Sequence, residues 1–278
     1  MRAGPAYRAR APSRDFRAAL QTNDFEAALA LLEAQKVTEL ERFVGDRAQR
    51  LTPLLWACKA TASPPYTTLS SEMAEALVAA GADVSVRCSR GFGPLYHGWL
   101  CPSLLTALLD KGAKEPAALV KLARVSDATT GGPCPNYEPL LMRCIGGGDL
   151  AHLSAAVKEQ ILFICCITGY DAPAAALIAA GVKWQVASTL TLLHHAAASG
   201  CVATVTALLD KGAGVDALND LQQTPLHAAC NRGRSDVALL LLTRGAAKGL
   251  DDTYGMSPLN YAMAAKGDTA AVIAKLRA

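Results

Sequence analysis

The sequence predicts an all-α fold, a solenoid of paired antiparallel helices with β-turn fingers between pairs, with about eight repeats including the caps. Three observations carry this. Thr191-Leu-Leu-His194, Thr224-Pro225-Leu-His227 and Ser257-Pro258-Leu-Asn260 begin equivalent segments, each 33 residues after the one before, a spacing that belongs to stacked supersecondary units rather than to one globular core. The eight residues Thr-Ala-Leu-Leu-Asp-Lys-Gly-Ala at 106–113 recur letter for letter at 206–213, which is 100 residues on and close to three such periods. Finally, Gly81, Gly212 and Gly245 each stand twelve residues before a segment start, at Gly93, Thr224 and Ser257.

In chain order, the 15–34 stretch gives two short apolar-periodic segments separated by Thr22-Asn23-Asp24, an atypical opening pair of the kind expected where one face meets water. The next pair starts at Thr52-Pro53-Leu-Leu55. Thr is a good N-cap, and Pro is pre-organised for the first helical position. An insertion at 61–71 precedes a second helix over 72–80, which ends at Gly81. A Gly favours that place because a helix commonly terminates in a left-handed turn. Gly93-Pro94-Leu-Tyr96 opens the third pair, and Gly112 ends it. A long insertion, 114–137, leads to Glu138-Pro-Leu-Leu141, a degenerate start that opens a short unit, followed by Gln160–Gly169 as the next start. Gly200 and Gly233 end the first helices that begin at Thr191 and Thr224. The last helix, 268–277, has Lys275 and Arg277 near its C-terminus, favourable with the helix dipole.

The Thr224–Gly233 stretch, TPLHAACNRG, resembles the signature of the ankyrin-repeat family, whose period is 33 residues. The resemblance is close from 191 onward, good over 52–113 and inferred between. It assigns residues 15–278 to an ankyrin-repeat domain, degenerate and insertion-bearing over 114–159. It implies a non-catalytic module for protein–protein recognition, acting as scaffold, adaptor or inhibitor. It also implies that the His194 and His227 imidazoles bond within and between repeats. Binding residues in the family lie on the fingers and on the two positions before the Gly of each first helix. Mapped here, the helix positions are Lys59, Leu100, Ile145, Ile167, Thr168, Ala198, Ser199, Asn231 and Arg232. The finger positions are Ser89, Arg90, Phe92, Trp184, Asp220, Leu221, Gln223, Thr253, Tyr254 and Met256. Trp184 has a second reading, folded onto the stack by the shortened finger between Gly181 and Thr191.

Composition is consistent with this. Hydrophobic residues make up 51% of the 278-residue chain and aromatics only 5%, so the core is built from Ala, Leu and Val in thin layers, unlike a large-cored enzyme domain. Leu208, Leu209 and 239–242 are expected to pack between units, and Ala196, Ala197, Ala228 and Ala229 to let helices approach closely. The formal charge of +3 is too small to imply a polyanion partner, so no nucleic acid is expected. Nine cysteines without a CxxC pair, and no glycosylation sequon, point to a reducing compartment, the cytoplasm with the nucleus as an alternative. Apolar runs such as 161–167 fall far short of the roughly 18 residues that span a bilayer, and membrane insertion is not expected. The first fourteen residues contain Arg2, Arg8, Arg10 and Arg14 and no acid. An Arg-rich, acid-poor start resembles an organelle transit peptide, but Pro5 and Pro12 would interrupt an amphipathic helix, which favours a disordered tail.

The residues with chemical potential have simpler roles in the repeat. Equivalent histidines in adjacent repeats lie one helix spacing apart, roughly 8–10 Å, whereas a shared zinc needs both nitrogens within about 2.1 Å of the metal. Cys58, Cys144, Cys166 and Cys230 each stand six residues after a repeat start and read as small buried hydrophobes. The 146–148 Gly run lacks the Lys-Ser/Thr of a phosphate loop. No metal, cofactor or catalytic residue is expected. The partner is another protein, and the chain by itself is a monomer. Two alternatives differ in kind: an accessory subunit of an organelle complex, and a regulatory ankyrin subunit of an enzyme on another chain.

Overall fold

The computed structural model describes residues 13–33, 51–61, 68–126, 133–146, 150, 153–184 and 191–278. The described residues form helices and no strand; an isolated bridge joins Ser126 to Pro133. The expected tail therefore lies, up to residue 12, outside the described residues, as do 62–67 and 127–132 of the two insertions and Gly147 and Gly148 of the glycine run. The chain divides into two compact units, Met1–Lys121 and Leu122–Ala278.

The first unit holds α1 (Ser13–Gln21), α2 (Phe25–Glu33), α3 (Pro53–Thr61), α4 (Thr68–Ala79), α5 (Pro94–His97) and α6 (Pro102–Asp110). First helices α1, α3 and α5 pack in one row, and second helices α2, α4 and α6 pack in another. Each is too short to hold its conformation alone, so burial across the rows stabilises them. Leu54, Leu55, Met73, Leu77, Leu104, Leu105 and Leu108 are fully buried, each contributing roughly 1.5–3 kcal/mol. Helix α5 is a single turn, ending where Gly98 N donates to the Pro94 carbonyl at 2.8 Å. Leu100 thus sits in a turn before Pro102, not on a helix as the repeat pattern had suggested.

Helix α7 (Pro116–Ala123) follows, and the second unit continues with α8 (Glu138–Gly146), α9 (Ala155–Thr168), α10 (Asp171–Ala179), α11 (Leu192–Ser199), α12 (Val202–Asp210), α13 (Pro225–Asn231), α14 (Ser235–Thr243), α15 (Pro258–Ala264) and α16 (Ala270–Arg277). Here α9, α11, α13 and α15 form the first-helix row, and α8, α10, α12, α14 and α16 the second. Two sequence expectations need correction. The helix beginning at Glu138 belongs to the second-helix row, packing on α10, so it does not open a repeat. Helix α9 starts at Ala155 rather than Gln160, because Ser154 caps it by accepting from Val157 N and Ala155, Ala156, Lys158 and Glu159 are strong helix formers. Cys144 thereby leaves the first-helix register of Cys58, Cys166 and Cys230. All nine cysteines are free thiols. Burial pushes Cys165, Cys201 and Cys230 up to about 12, which leaves them protonated and unreactive near neutrality.

The period is visible as bonds between residues one repeat apart. Ser199 Oγ donates to the Cys166 carbonyl at 2.6 Å, and Thr204 N to Asp171 Oδ1 at 2.7 Å, each across 33 residues. Asp171 also accepts from Ala203 N at 2.9 Å and Thr204 Oγ1 at 2.7 Å, so it caps α12 from the neighbouring helix. Glu138 stands likewise to α10, accepting from Ala172 N at 3.4 Å. Part of the 114–137 insertion forms α7, and the rest is tied at Val125 and Cys134 to the fully buried Tyr170, whose hydroxyl donates to the Val125 carbonyl at 2.6 Å and accepts from Cys134 N at 3.3 Å.

Ala229 is fully buried, as are Ala196 and Ala197, whereas Ala228 is half-exposed. Ala229→Leu should cost about 1–3 kcal/mol by overpacking, and Ala228→Leu clearly less; urea denaturation of the two variants checks this order. Asp171→Ala should cost about 1–2 kcal/mol as a lost cap, read in the same way.

Candidate functional site

A first helix of only seven residues, such as α13, leaves N–H donors unpaired at its start. Thr224 Oγ1 accepts from His227 N at 3.4 Å, while His227 Nδ1 faces Thr224 N at 3.0 Å and Thr224 Oγ1 at 2.9 Å. The imidazole therefore accepts at Nδ1, and its Nε2–H reaches the Met256 carbonyl of the next finger at 3.2 Å. His194 repeats the pattern, with Nδ1 2.8 Å from Thr191 Oγ1 and Nε2 2.8 Å from the Gln223 carbonyl. In the last repeat Asn260 replaces the imidazole, its Oδ1 accepting from Ser257 N at 2.9 Å. The third repeat has Gly93 at this place and takes its cap from elsewhere. The buried Glu115 accepts from Gly93 N and from Tyr96 N at 2.9 Å, a role that sequence reasoning missed.

The fingers are closed by the same backbone turn in three places: Cys88 N to Phe92 O at 2.8 Å, Asn219 N to Gln223 O at 3.0 Å, and Asp252 N to Met256 O at 3.1 Å. In the last two a side-chain oxygen braces the loop. Asn219 Oδ1 accepts from Leu221 N and Gln223 N, and Asp252 Oδ1 from Tyr254 N and Met256 N. Asp252 Oδ2 further accepts from Gln223 Nε2 at 3.0 Å and Tyr261 Oη at 2.7 Å. Burial disfavours the charged form of Asp252, but the donors on Gln223, Tyr261, Met256 and Tyr254 outweigh it and hold the carboxyl well below the usual range. The 33-residue equivalence of 219 and 252, both polar Asx residues, was the available signal for these braces.

The sequence-derived surface residues separate into three groups. Ile167, Leu221, Asn231, Arg232 and Tyr254 are exposed in the second unit, and Lys59, Arg90 and Leu100 in the first. Others are occupied by the fold. Phe92 is stacked on Tyr96 with centroids 3.9 Å apart, Ser199 is bonded to the Cys166 carbonyl, Gln223 bridges two fingers, and Met256 lends its carbonyl to His227 while its side chain is half-buried, as is Trp184. Ile145 is buried in a second helix, so its assignment to the surface is corrected. Structural positions behave as helix ends: Gly200 and Gly212, both at φ 90°, occupy the left-handed region that glycine enters without steric cost.

Residues 193–276 match the family model of ankyrin repeats, in three copies. Residues 193–276 are thus ankyrin repeats, and the helices of the described residues are consistent with the all-α solenoid of that family; such repeats indicate a module for protein interaction. Among curated proteins, the chain is 38% identical over 89 residues to the palmitoyltransferase ZDHHC13 of Homo sapiens, covering 31% of this chain and 14% of that protein. It is 38% identical over 79 residues to the palmitoyltransferase Hip14 of Drosophila melanogaster, 27% of this chain and 12% of that protein. It is 41% identical over 76 residues to the E3 ubiquitin-protein ligase XB3 of Oryza sativa subsp. japonica, 26% of this chain and 17% of that protein. The chain thus spans under a fifth of each of these relatives. Among the described residues, no group of His, Cys, Asp and Glu is placed to hold a metal, and no helix is long and apolar enough to cross a membrane.

Burial lowers the pKa of both His194 and His227, against the pull of the carbonyls at their Nε2 atoms. A histidine held neutral in the fold and titrating near 6.5 when unfolded stabilises fully above that value, and the gain is lost as pH falls through it. Acidification from about pH 7.5 to about 5 should therefore lower Tm. His194→Asn/His227→Asn, which keeps the Nδ1-like acceptor as Asn260 does, should show a smaller drop; an equal drop in both proteins would contradict the assignment.

Proposed function

We propose that this chain is a non-catalytic recognition module that binds another protein through its fingers and the exposed ends of its first helices, as a scaffold, adaptor or inhibitor. The observation that supports this best is a division of labour along the repeat. Polar groups at the recurrent positions, from Thr224 and His227 to Asn219 and Asp252, are consumed in holding helix starts and fingers together. At the variable positions beside them, Tyr254 is 72% exposed and Ile167 47%, and Leu221, Asn231 and Arg232 also face solvent. Rigid aromatic, apolar and Arg side chains on a braced frame are what interface anchors require, and little ordering entropy is lost on binding.

A second reading draws on the relatives. Because the matches fall on the repeat segment of palmitoyltransferases and ubiquitin ligases, the module is suited to serve an enzyme on another chain, positioning its substrate or regulating it. Copurification with an enzyme in fixed stoichiometry supports that version.

Affinity capture with the wild type and a Leu221→Ala/Arg232→Ala/Tyr254→Ala variant tests the main proposal. These side chains are exposed, so the variant should melt within a few degrees of wild type while losing at least one partner. Retention of every partner by the folded variant would place recognition elsewhere on the molecule.

A further inference from the structure

Two neighbouring fingers of the second unit, residues 214–223 and 247–256, are locked together. Thr253 N donates to the Leu221 carbonyl at 3.0 Å, Ala247 N to Asp216 Oδ1 at 3.0 Å, and Gln223 Nε2 to Asp252 Oδ2 at 3.0 Å. These two fingers also carry exposed apolar side chains: Leu218 is 54% exposed, and Leu221, Leu250 and Tyr254 are exposed as well. Four such side chains on two braced neighbouring fingers mark an interaction surface.

The charge at this place is predominantly negative. The two fingers carry Asp216, Asp220, Asp251 and Asp252 against Lys248 alone, although the whole chain has 27 cations and 24 anions. The acidity is therefore local. Hydrogen bonding at Asp216 and Asp252 fixes their charges in place without removing them. Arg232 and Lys266 stand beyond the far ends of α13 and α15, about 10 Å of helix away from the finger side, a separation at which salt already screens much of their effect.

We infer that these two fingers receive a partner segment whose apolar side chains are flanked by Lys or Arg. The apolar groups bury against Leu218, Leu221, Leu250 and Tyr254, and the flanking cations complement the aspartates. Acidic segments of equal hydrophobicity are rejected by like charge, the repulsive half of specificity. This rests on the recognition reading above and adds to it the chemistry of the partner.

The test uses the full chain and three synthetic 15-residue probes with the same Leu and Ile positions, the remaining positions being Lys, Gln or Glu, with binding read by fluorescence anisotropy. The Lys probe should bind at least roughly tenfold more tightly than the Glu probe and weaken as salt is raised. Tyr254→Ala should weaken the Lys probe by roughly tenfold. Asp220→Lys/Asp251→Lys should abolish the preference for Lys over Glu; Asp251→Lys alone, at an exposed site, should reduce it and guards against misfolding of the double variant. The inference is overturned if no probe binds, if the Glu probe equals the Lys probe, if the preference is undiminished in Asp251→Lys, or if Tyr254→Ala leaves binding unchanged. Loss of captured partners on finger substitution, combined with no charge preference here, would leave protein recognition standing and remove only the basic-segment chemistry.

Discussion

Short helices leave many backbone donors and acceptors without intrahelical partners, and the need to satisfy them governs this molecule. Helix α13 has seven residues and α12 nine, so a large fraction of each lies within a turn of an end. Those donors are met partly by local caps and partly by side chains of the adjoining repeat: Asp171 at α12, Glu138 at α10, Glu115 at α5. Each unit's stack is thus coupled through polar bonds as well as through buried leucine. A repeat cut out alone would lose both its apolar partner and its caps.

The same constraint explains why His194, His227 and the buried cysteines Cys165, Cys201 and Cys230 are structural. An imidazole whose two nitrogens are engaged by a threonine and a neighbouring carbonyl has no lone pair to offer a metal or a substrate. A thiol driven to about 12 by burial is a packing group. The side chains the repeat does not consume include those at the finger tips, where the braces from Asn219 and Asp252 hold the loop while Leu221 and Tyr254 face water.

The repeat start also shows how different residues solve one physical problem. Histidine supplies the acceptor at 194 and 227, an amide at 260, and a carboxylate borrowed from 22 residues downstream at Gly93. The first three are legible from the 33-residue alignment because the acceptor is local. Glu115 is invisible to it, because the bond runs to another repeat and the acid looks like any surface glutamate. Phe92 likewise reads as a protruding aromatic until Tyr96 is seen stacked against it.

By itself, the sequence determined the helix pairs from Thr191 onward, their period, the finger length and the small residues that allow close packing, since all of these follow from local propensity and spacing. Only the tertiary structure decided that Glu138 opens a second helix, that α9 begins at Ala155, that Ile145 is buried, and which variable side chains stay exposed. Those outcomes depend on which neighbour each helix packs against, and where insertions break the period the spacing along the chain no longer reports that neighbour.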